Sequence, residues 1–460
     1  MNYLLPDEPL ADVEEYFARG GGRGWERAVS LGPDQTVKEV GLARLRGRGG
    51  AGFPTGRKWS TIAAATGGTR YVVCNAAEGE PGTFKDRELL RRNPYQTAEG
   101  LLIAAFAVGA TSAYVGIKAA FAAERRRLVE ALEELQRAGV GSDVTVTVVE
   151  GPDEYLFGEE KALLEVLEGE APLPRWLPPH LHGLFATAPQ LGWQAHAPAA
   201  GHAPDAGSNP TLVNNVETLA NVPHILANGA EWFRSLGTQD SPGHIVVTVV
   251  GDTVRAGVAE VPMGTRLGEV IGTVGGGLPD GRSVKAVFSG VSNPVLTSAA
   301  LDTPLTYEDM AAAGSGLGAA GFIVYDDTAC MVNVAHVFSR FLWIESCGQC
   351  PPCKLGSEAI TAHLWAIETG SGTDADVEEI GSWLEHVTDA NRCYLGTEEK
   401  LVVASLLAAF PEEFAAHLEG PCPRPRPIPL PKLVDIVDGT AIYDERHARK
   451  RPDWTYEDTP

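Results

Sequence analysis

Among 460 residues, 60 acidic side chains outweigh 37 basic ones, for a formal charge of −23. That excess repels a phosphate backbone and argues against nucleic acid as a partner, while the length allows two to four domains with cores of their own. Seven cysteines, four of them in one plausible set, suit a metal site in a reducing cytoplasm better than a disulfide framework.

The chain opens Met-Asn-Tyr-Leu-Leu-Pro-Asp-Glu, with no basic region ahead of an apolar core, so no secretory signal is expected. Residues 1–44 read as a lead-in with helices over 12–18 and 37–45. The stretch 45–59 then carries Gly47, Gly49, Gly50, Gly52 and Gly56. Bare backbone there lets consecutive N–H groups close around an anion, and Arg48, Arg57 and Lys58 add positive charge. A helix predicted over 61–65 would aim its N-terminus at the same anion. Phe53, Pro54 and Trp59 distinguish the stretch from a disordered glycine–arginine tail. It is not a Walker loop, and its glycine spacing misses Gly-x-Gly-x-x-Gly, so pattern alone assigns a phosphate of unstated identity.

From residue 70 strands and helices alternate: strands at 71–74, 113–117 and 144–149, helices at 94–108 and 119–138. Alternation of this kind implies a parallel sheet covered by helices, with ligands beyond the carboxyl ends of the strands. The uncharged run 100–117 is long enough to consider as a membrane span. Gly109, Thr111 and Ser112 at its middle make it a buried helix turning into a buried strand instead. The segment from Asn75 to Arg87, including Glu78, Glu80 and Asp86, follows the first strand and is either a ligand-contacting loop or a solvated turn. Phe157-Gly158-Glu159-Glu160-Lys161 opens another helix, where glutamates suit the dipole in any case. Residues 171–210 read as a long loop, and its His180, His182, His196 and His202 follow no ligand spacing. Asn214 and Asn215 precede a helix ending near 228 and could bind a ligand or cap that helix.

Short strands at 244–250, 257–261, 284–288 and 322–324 around a helix at 265–272 form a small α+β module of β-grasp type, without a catalytic constellation. Helix follows from 329 to 419, then a proline-rich stretch at 421–431 and a hairpin of 434–437 with 440–443 through Asp438-Gly439. Within the helical part, Cys347-Gly-Gln-Cys350-Pro-Pro-Cys353 has the spacing of a 4Fe–4S site, and Cys393 is the candidate fourth ligand. Zinc competes, but its sites usually pair two Cys-x-x-Cys clips. Cys74, Cys330 and Cys422 read as ordinary residues.

A glycine cradle, an acidic loop, a Gly-Glu-Glu turn, paired asparagines and a three-plus-one cysteine set occur in one order over about residues 15–420. That order resembles the flavin- and NADH-binding (51-kDa type) subunit of respiratory complex I. It is similar also to the diaphorase subunits of NAD-linked hydrogenases and formate dehydrogenases. The resemblance implies a multi-domain α/β chain: a Rossmann-like FMN domain with its lead-in (1–240), a ubiquitin-like β-grasp domain (241–327), a helical 4Fe–4S domain (328–420) and a proline-rich tail with a hairpin (421–460). It implies FMN phosphate and ribityl near Gly47, Arg48, Gly49, Lys58, Asn75, Asn214 and Asn215, with Glu78 as the catalytic residue beside the ring. Leu395 would pack near the cofactor edge, and Phe53, Glu80 and Glu160 would contact the NAD(H) nucleotide. Cys347, Cys350, Cys353 and Cys393 would hold the 4Fe–4S cluster.

Four positions depart from the family pattern. Ala77 replaces an aspartate, Thr61 and His180 replace aromatics, and Lys161 replaces a threonine. The resemblance implies a cytoplasmic electron-transfer subunit without a membrane span, working with a 2Fe–2S thioredoxin-like subunit and a larger oxidoreductase body of complex I, hydrogenase or formate dehydrogenase type. Two alternatives share the same motifs: a flavin–iron–sulfur subunit with another electron donor, and a scaffold that has lost flavin.

Overall fold

The computed structural model describes residues 2–188 and 207–457, which leaves His196 and His202 outside the described residues. The chain divides into two compact units. The first comprises Met1–Gly79, Lys85–Val246 and Ala259–Gly264, and the second Glu80–Phe84, Val247–Val258 and Thr265–Pro460.

The first unit is built on strands β1 (Tyr71–Ala76), β2 (Ser112–Lys118), β3 (Thr145–Gly151) and β4 (Thr211–Asn215). They lie in the order β3-β2-β1-β4, and every pairing is parallel. Chain order runs one way from β1 through β2 to β3, and then β4 returns to the other side of β1. The β1/β4 boundary is therefore the point where the strand order reverses, the place beyond the carboxyl ends at which open sheets of this kind take ligands. Its register sets Cys74 opposite Asn214 and Asn75 opposite Asn215.

The run 100–117 resolves as anticipated, into a helix and a strand. Asn93 accepts from the Gln96 amide and Pro94 occupies the first turn of the helix Pro94–Val108, which is buried almost throughout. Strand β2 begins at Ser112. Among the described residues no single helix is long and apolar enough to cross a membrane. One bent pair, Leu395–Ala409 with Pro411–Leu418, passes by length and composition, with an angle of 83° between its halves.

Three local expectations change. The lead-in contains three helices, Val13–Ala18, Arg23–Leu31 and Pro33–Leu42, rather than two. The helix after the glycine stretch starts at Thr55, not 61, because Pro54 (φ −59°) already sets the backbone for a first turn. Part of the acidic loop, Lys85–Arg92, is helical, with Asp86 and Glu88 at its start and Arg91 and Arg92 at its end, as the dipole favours.

A five-stranded sheet, made mostly of residues of the second unit, has the order β6-β5-β9-β7-β8. Its strands are β5 (His244–Gly251), β6 (Gly257–Pro262), β7 (Val284–Ser289), β8 (Leu296–Thr297) and β9 (Gly321–Asp326). Strand β9 is parallel to β5 and antiparallel to β7, which pairs antiparallel with β8. Helices Met331–Glu345, Pro351–Glu368, Asp374–His386, Leu395–Ala409 and Pro411–Leu418 follow. Strands β10 (Leu433–Val437) and β11 (Thr440–Tyr443) form the expected hairpin.

Candidate functional site

In the first unit, the glycine stretch is a closed loop. Gly47 donates its amide to Phe53 O at 2.9 Å and Thr55 to Leu45 O at 2.9 Å, which pins the two ends together. A Cβ on Gly49 would stand 3.1 Å from the Cβ of Asn215, so the loop passes β4's last residue at backbone distance. The side chain of Arg48, expected in the nest, turns inward instead. It is 1% exposed, and its Nη2 lies 3.0 Å from both Pro242 O and His244 O. The Arg48 amide donates to Thr218 Oγ1 at 2.8 Å, so this residue fastens the loop to the protein.

Lys58 points the other way. Its Nζ sits 2.7 Å from Glu160 Oε2, and both side chains are partly open to solvent. The structure thus joins a residue expected at the phosphate with one expected at the nucleotide. His180 faces the same pair, and burial holds its pKa below the ordinary histidine value despite the pull of Glu160. Phe53 is 47% exposed, with the Arg57 guanidinium 5.8 Å from its ring centre.

The three asparagines meet at the switch point. Asn214 accepts from Trp59 Nε1 at 2.8 Å. Asn75 donates to Gly158 O at 2.7 Å, and Asn215 caps the helix Val216–Asn228 through the Glu217 amide at 3.0 Å. Beside them lies a buried ionic group that sequence reading missed. Lys85 Nζ is 2.7 Å from Asp86 Oδ1 and 2.9 Å from Glu217 Oε2, and Asn215 donates to Asp86 Oδ2 at 2.6 Å. Glu78 accepts from the Asp86 amide at 3.1 Å and from Arg87 Nε at 2.9 Å. Its side chain is therefore buried against Arg87. Burial pushes the Asp86 carboxyl up to about 6, against the pull of Lys85. Ala77 is buried with Phe157 and Leu163 in an apolar cluster, a place that suits a methyl and not a carboxylate. Thr61 is exposed and donates to Arg57 O. Glu80 falls in the second unit, where Oε1 accepts the Val291 amide at 2.7 Å.

The cysteine set occupies the joint between helices Met331–Glu345 and Pro351–Glu368. Gly348, at φ 76°, turns the chain between Cys347 and Cys350 in a conformation a side chain disfavours. Cys350 caps the second helix, prolines follow at its first turn, and Cys353 is buried within that turn. Next to Cys393 in the chain, the Arg392 amide donates to Cys350 Sγ at 3.3 Å. Burial, with the other thiols close by, pushes Cys353 up to about 12 and raises Cys347. Four thiols, two buried and two half-buried, are the donor chemistry that an iron–sulfur group takes as thiolates, so the set fits such a cluster. Lys354 donates to Trp343 O, Ser346 O and Pro452 O at 3.0, 2.8 and 2.9 Å, tying the joint together. Leu395, in the same unit, is buried and opens the helix Leu395–Ala409.

Residues 40–224 match the Nuo51 FMN-binding domain, and residues 333–417 match the iron–sulfur binding region of NADH-ubiquinone oxidoreductase F. The chain is 39% identical over 430 residues to the second F-type NADH-quinone oxidoreductase chain of Rhizobium meliloti, covering 91% of this chain and 96% of that one. The chain belongs to the F-type family of NADH-quinone oxidoreductase chains. Also similar is the NADP-reducing hydrogenase subunit HndC of Solidesulfovibrio fructosivorans, 36% identical over 88% of this chain and 81% of that one. Among solved structures, a chain of an NAD+-reducing NiFe hydrogenase in its H2-reduced state aligns with TM-score 0.77 and 34% identity, over 89% of this chain and 67% of that one. As a member of this family the chain is an oxidoreductase of the NADH dehydrogenase type, with FMN- and 4Fe–4S-binding regions.

Proposed function

We propose that this chain passes electrons between NAD(H) and a 4Fe–4S cluster through FMN, as the electron-input or electron-output subunit of a larger complex. The observation that carries the reading is the switch point, where Asn75 and Asn215 stand opposite each other on β1 and β4 and Gly49 runs against Asn215. Gly47, Gly49 and Lys58 hold the FMN phosphate, and Asn75, Asn214 and Asn215 hold its polar edge. Arg48 holds the loop in shape from behind. Glu78, paired with Arg87, works beside the flavin ring. Phe53, Glu80 and Glu160 receive the nicotinamide nucleotide, and Leu395 packs near the cofactor edge. Cys347, Cys350, Cys353 and Cys393 ligate the cluster. Bound FMN takes up two electrons together and releases them one at a time; the protein supplies position, charge and exclusion of water.

The five-stranded sheet is read as the ubiquitin-like β-grasp domain, the four-stranded parallel sheet as the Rossmann-like one, and the boundaries as 1–240, 241–327, 328–420 and 421–460. A 2Fe–2S thioredoxin-like subunit and a complex I, hydrogenase or formate dehydrogenase body are the partners expected, in the cytoplasm. Anaerobic NADH should bleach the flavin within the mixing time; flavin that neither NADH nor NADPH bleaches refutes the nucleotide assignment. That outcome would instead favour a different electron donor, a reading supported by Ala77 in the core and by Thr61 and His180 where aromatics are usual. A purified complex with cluster but no flavin would mark a scaffold. Glu78→Gln should slow flavin reduction at unchanged flavin content, and unaltered kinetics would remove Glu78 from the chemistry.

A further inference from the structure

Two cysteines and a histidine outside the cluster set converge in the second unit. Cys330 Sγ lies 3.3 Å from His417 Nε2, and these atoms and Cys422 Sγ all fall within 4.8 Å of one another. Cys330 and His417 are buried and Cys422 half-buried. We propose that Cys330, His417 and Cys422 form a second metal site, of the thiolate–imidazole chemistry that selects zinc.

Three features of the geometry support it. His417 Nδ1 is 2.7 Å from Glu413 O, an acceptor only, so the ring proton sits on Nδ1. That leaves the Nε2 lone pair aimed at the thiols, as metal-binding histidines are usually oriented. Cys330 and His417 are buried, which limits competition from water for a bound cation. The spacing also matches. Zn–S bonds of about 2.3 Å and Zn–N bonds of about 2.0 Å give tetrahedral S···N edges of roughly 3.5 Å, within a few tenths of the separation found.

His417 lies one residue before the end of the helix Pro411–Leu418, and the chain turns through Gly420-Pro421 to return Cys422 to it. Metal there pins the start of the proline-rich segment to the head of the helix Met331–Glu345. Three protein ligands leave one tetrahedral position for water or for a donor from a partner. The site uses none of the four cluster cysteines, so it stands or falls apart from the flavin and iron–sulfur reading.

The test is elemental analysis of the full chain, purified anaerobically after growth with added zinc, with X-ray absorption at the zinc edge. The expected result is about one zinc per chain, bound by two sulfurs and one histidine nitrogen. Cys330→Ser and His417→Gln should each lower zinc occupancy at least about tenfold with iron per chain unchanged. His417→Cys, which replaces one ligand by another, should keep zinc, which separates ligation from a folding defect if Cys330→Ser is insoluble. Zinc absent from the wild type, zinc equal in wild type and His417→Gln, or a Cys330–Cys422 disulfide in non-reducing peptide maps would each overturn the proposal. Iron in place of zinc, lost in His417→Gln, would overturn the choice of metal.

Discussion

The switch-point region and the cysteine joint prepare for their ligands by opposite means. At the switch point the binding surface is backbone and amides, and its charges are already paired with one another: Lys85 with Asp86 and Glu217, Arg87 with Glu78, Lys58 with Glu160. At the cysteine joint the proposed ligands are the side chains themselves, and burial pushes the Cys353 thiol up to about 12. The first region is complete in its electrostatics before anything binds, and the second is not. One should keep its fold when stripped, and the other should lose order with its cluster.

The sharpest break of that contrast is Cys350→Ser. Iron should fall to near zero and the cluster's electron paramagnetic signal vanish, with flavin per chain unchanged. A flavin loss of equal size would mean that the two regions depend on each other. Next is Lys85→Met, which strands Asp86 and Glu217 as buried, unpaired carboxylates. Breaking a buried pair from one side costs about 3–5 kcal/mol, read as a lower midpoint in urea. A change below about 1 kcal/mol, the range of exposed pairs, would show that the group is hydrated. Gly49→Val forces a side chain against Asn215 and should cost about 1–3 kcal/mol of overpacking. The effect should be seen mainly as weaker flavin retention at a nearly unchanged melting temperature. The smallest effect concerns pH. Burial pushes Glu159 up to about 7 from 4.5, although Lys161 and the Lys161 and Ala162 amides oppose this. The folded chain then keeps a proton that the unfolded chain releases, so stability falls as pH rises from 4.5 through about 7. Glu159→Gln should flatten that slope, as urea midpoints across the window would record.

The same contrast explains what could be read in advance. Cys347, Cys350 and Cys353 were legible because a sulfur site is written in local spacing, and Gly348 completes the turn. The glycine cradle was legible as bare backbone, but the direction of Arg48 was not, since its carbonyl partners lie at Pro242 and His244. Strand β4 escaped notice because five residues ending in two asparagines resemble a cap more than a strand, and only pairing with β1 makes it one. Lys85, Asp86 and Glu217 escaped for a related reason: their partnership exists only once the chain is folded. Cys330, read as ordinary like Cys422, meets His417 and Cys422 across a separation no local pattern spans. Ala77, where the family pattern has an aspartate, proves to be a packing residue.

The five charges gathered at Glu78, Lys85, Asp86, Arg87 and Glu217 have a bearing on how this chain can change over generations. Each is costly without its companions, so a single replacement strands a buried partner and the group changes without penalty only together. Thr61 is exposed and its hydroxyl bonds within its own helix; it can be exchanged one mutation at a time. Descendants are thereby free to retune which donor they admit while leaving the foundation beneath it untouched.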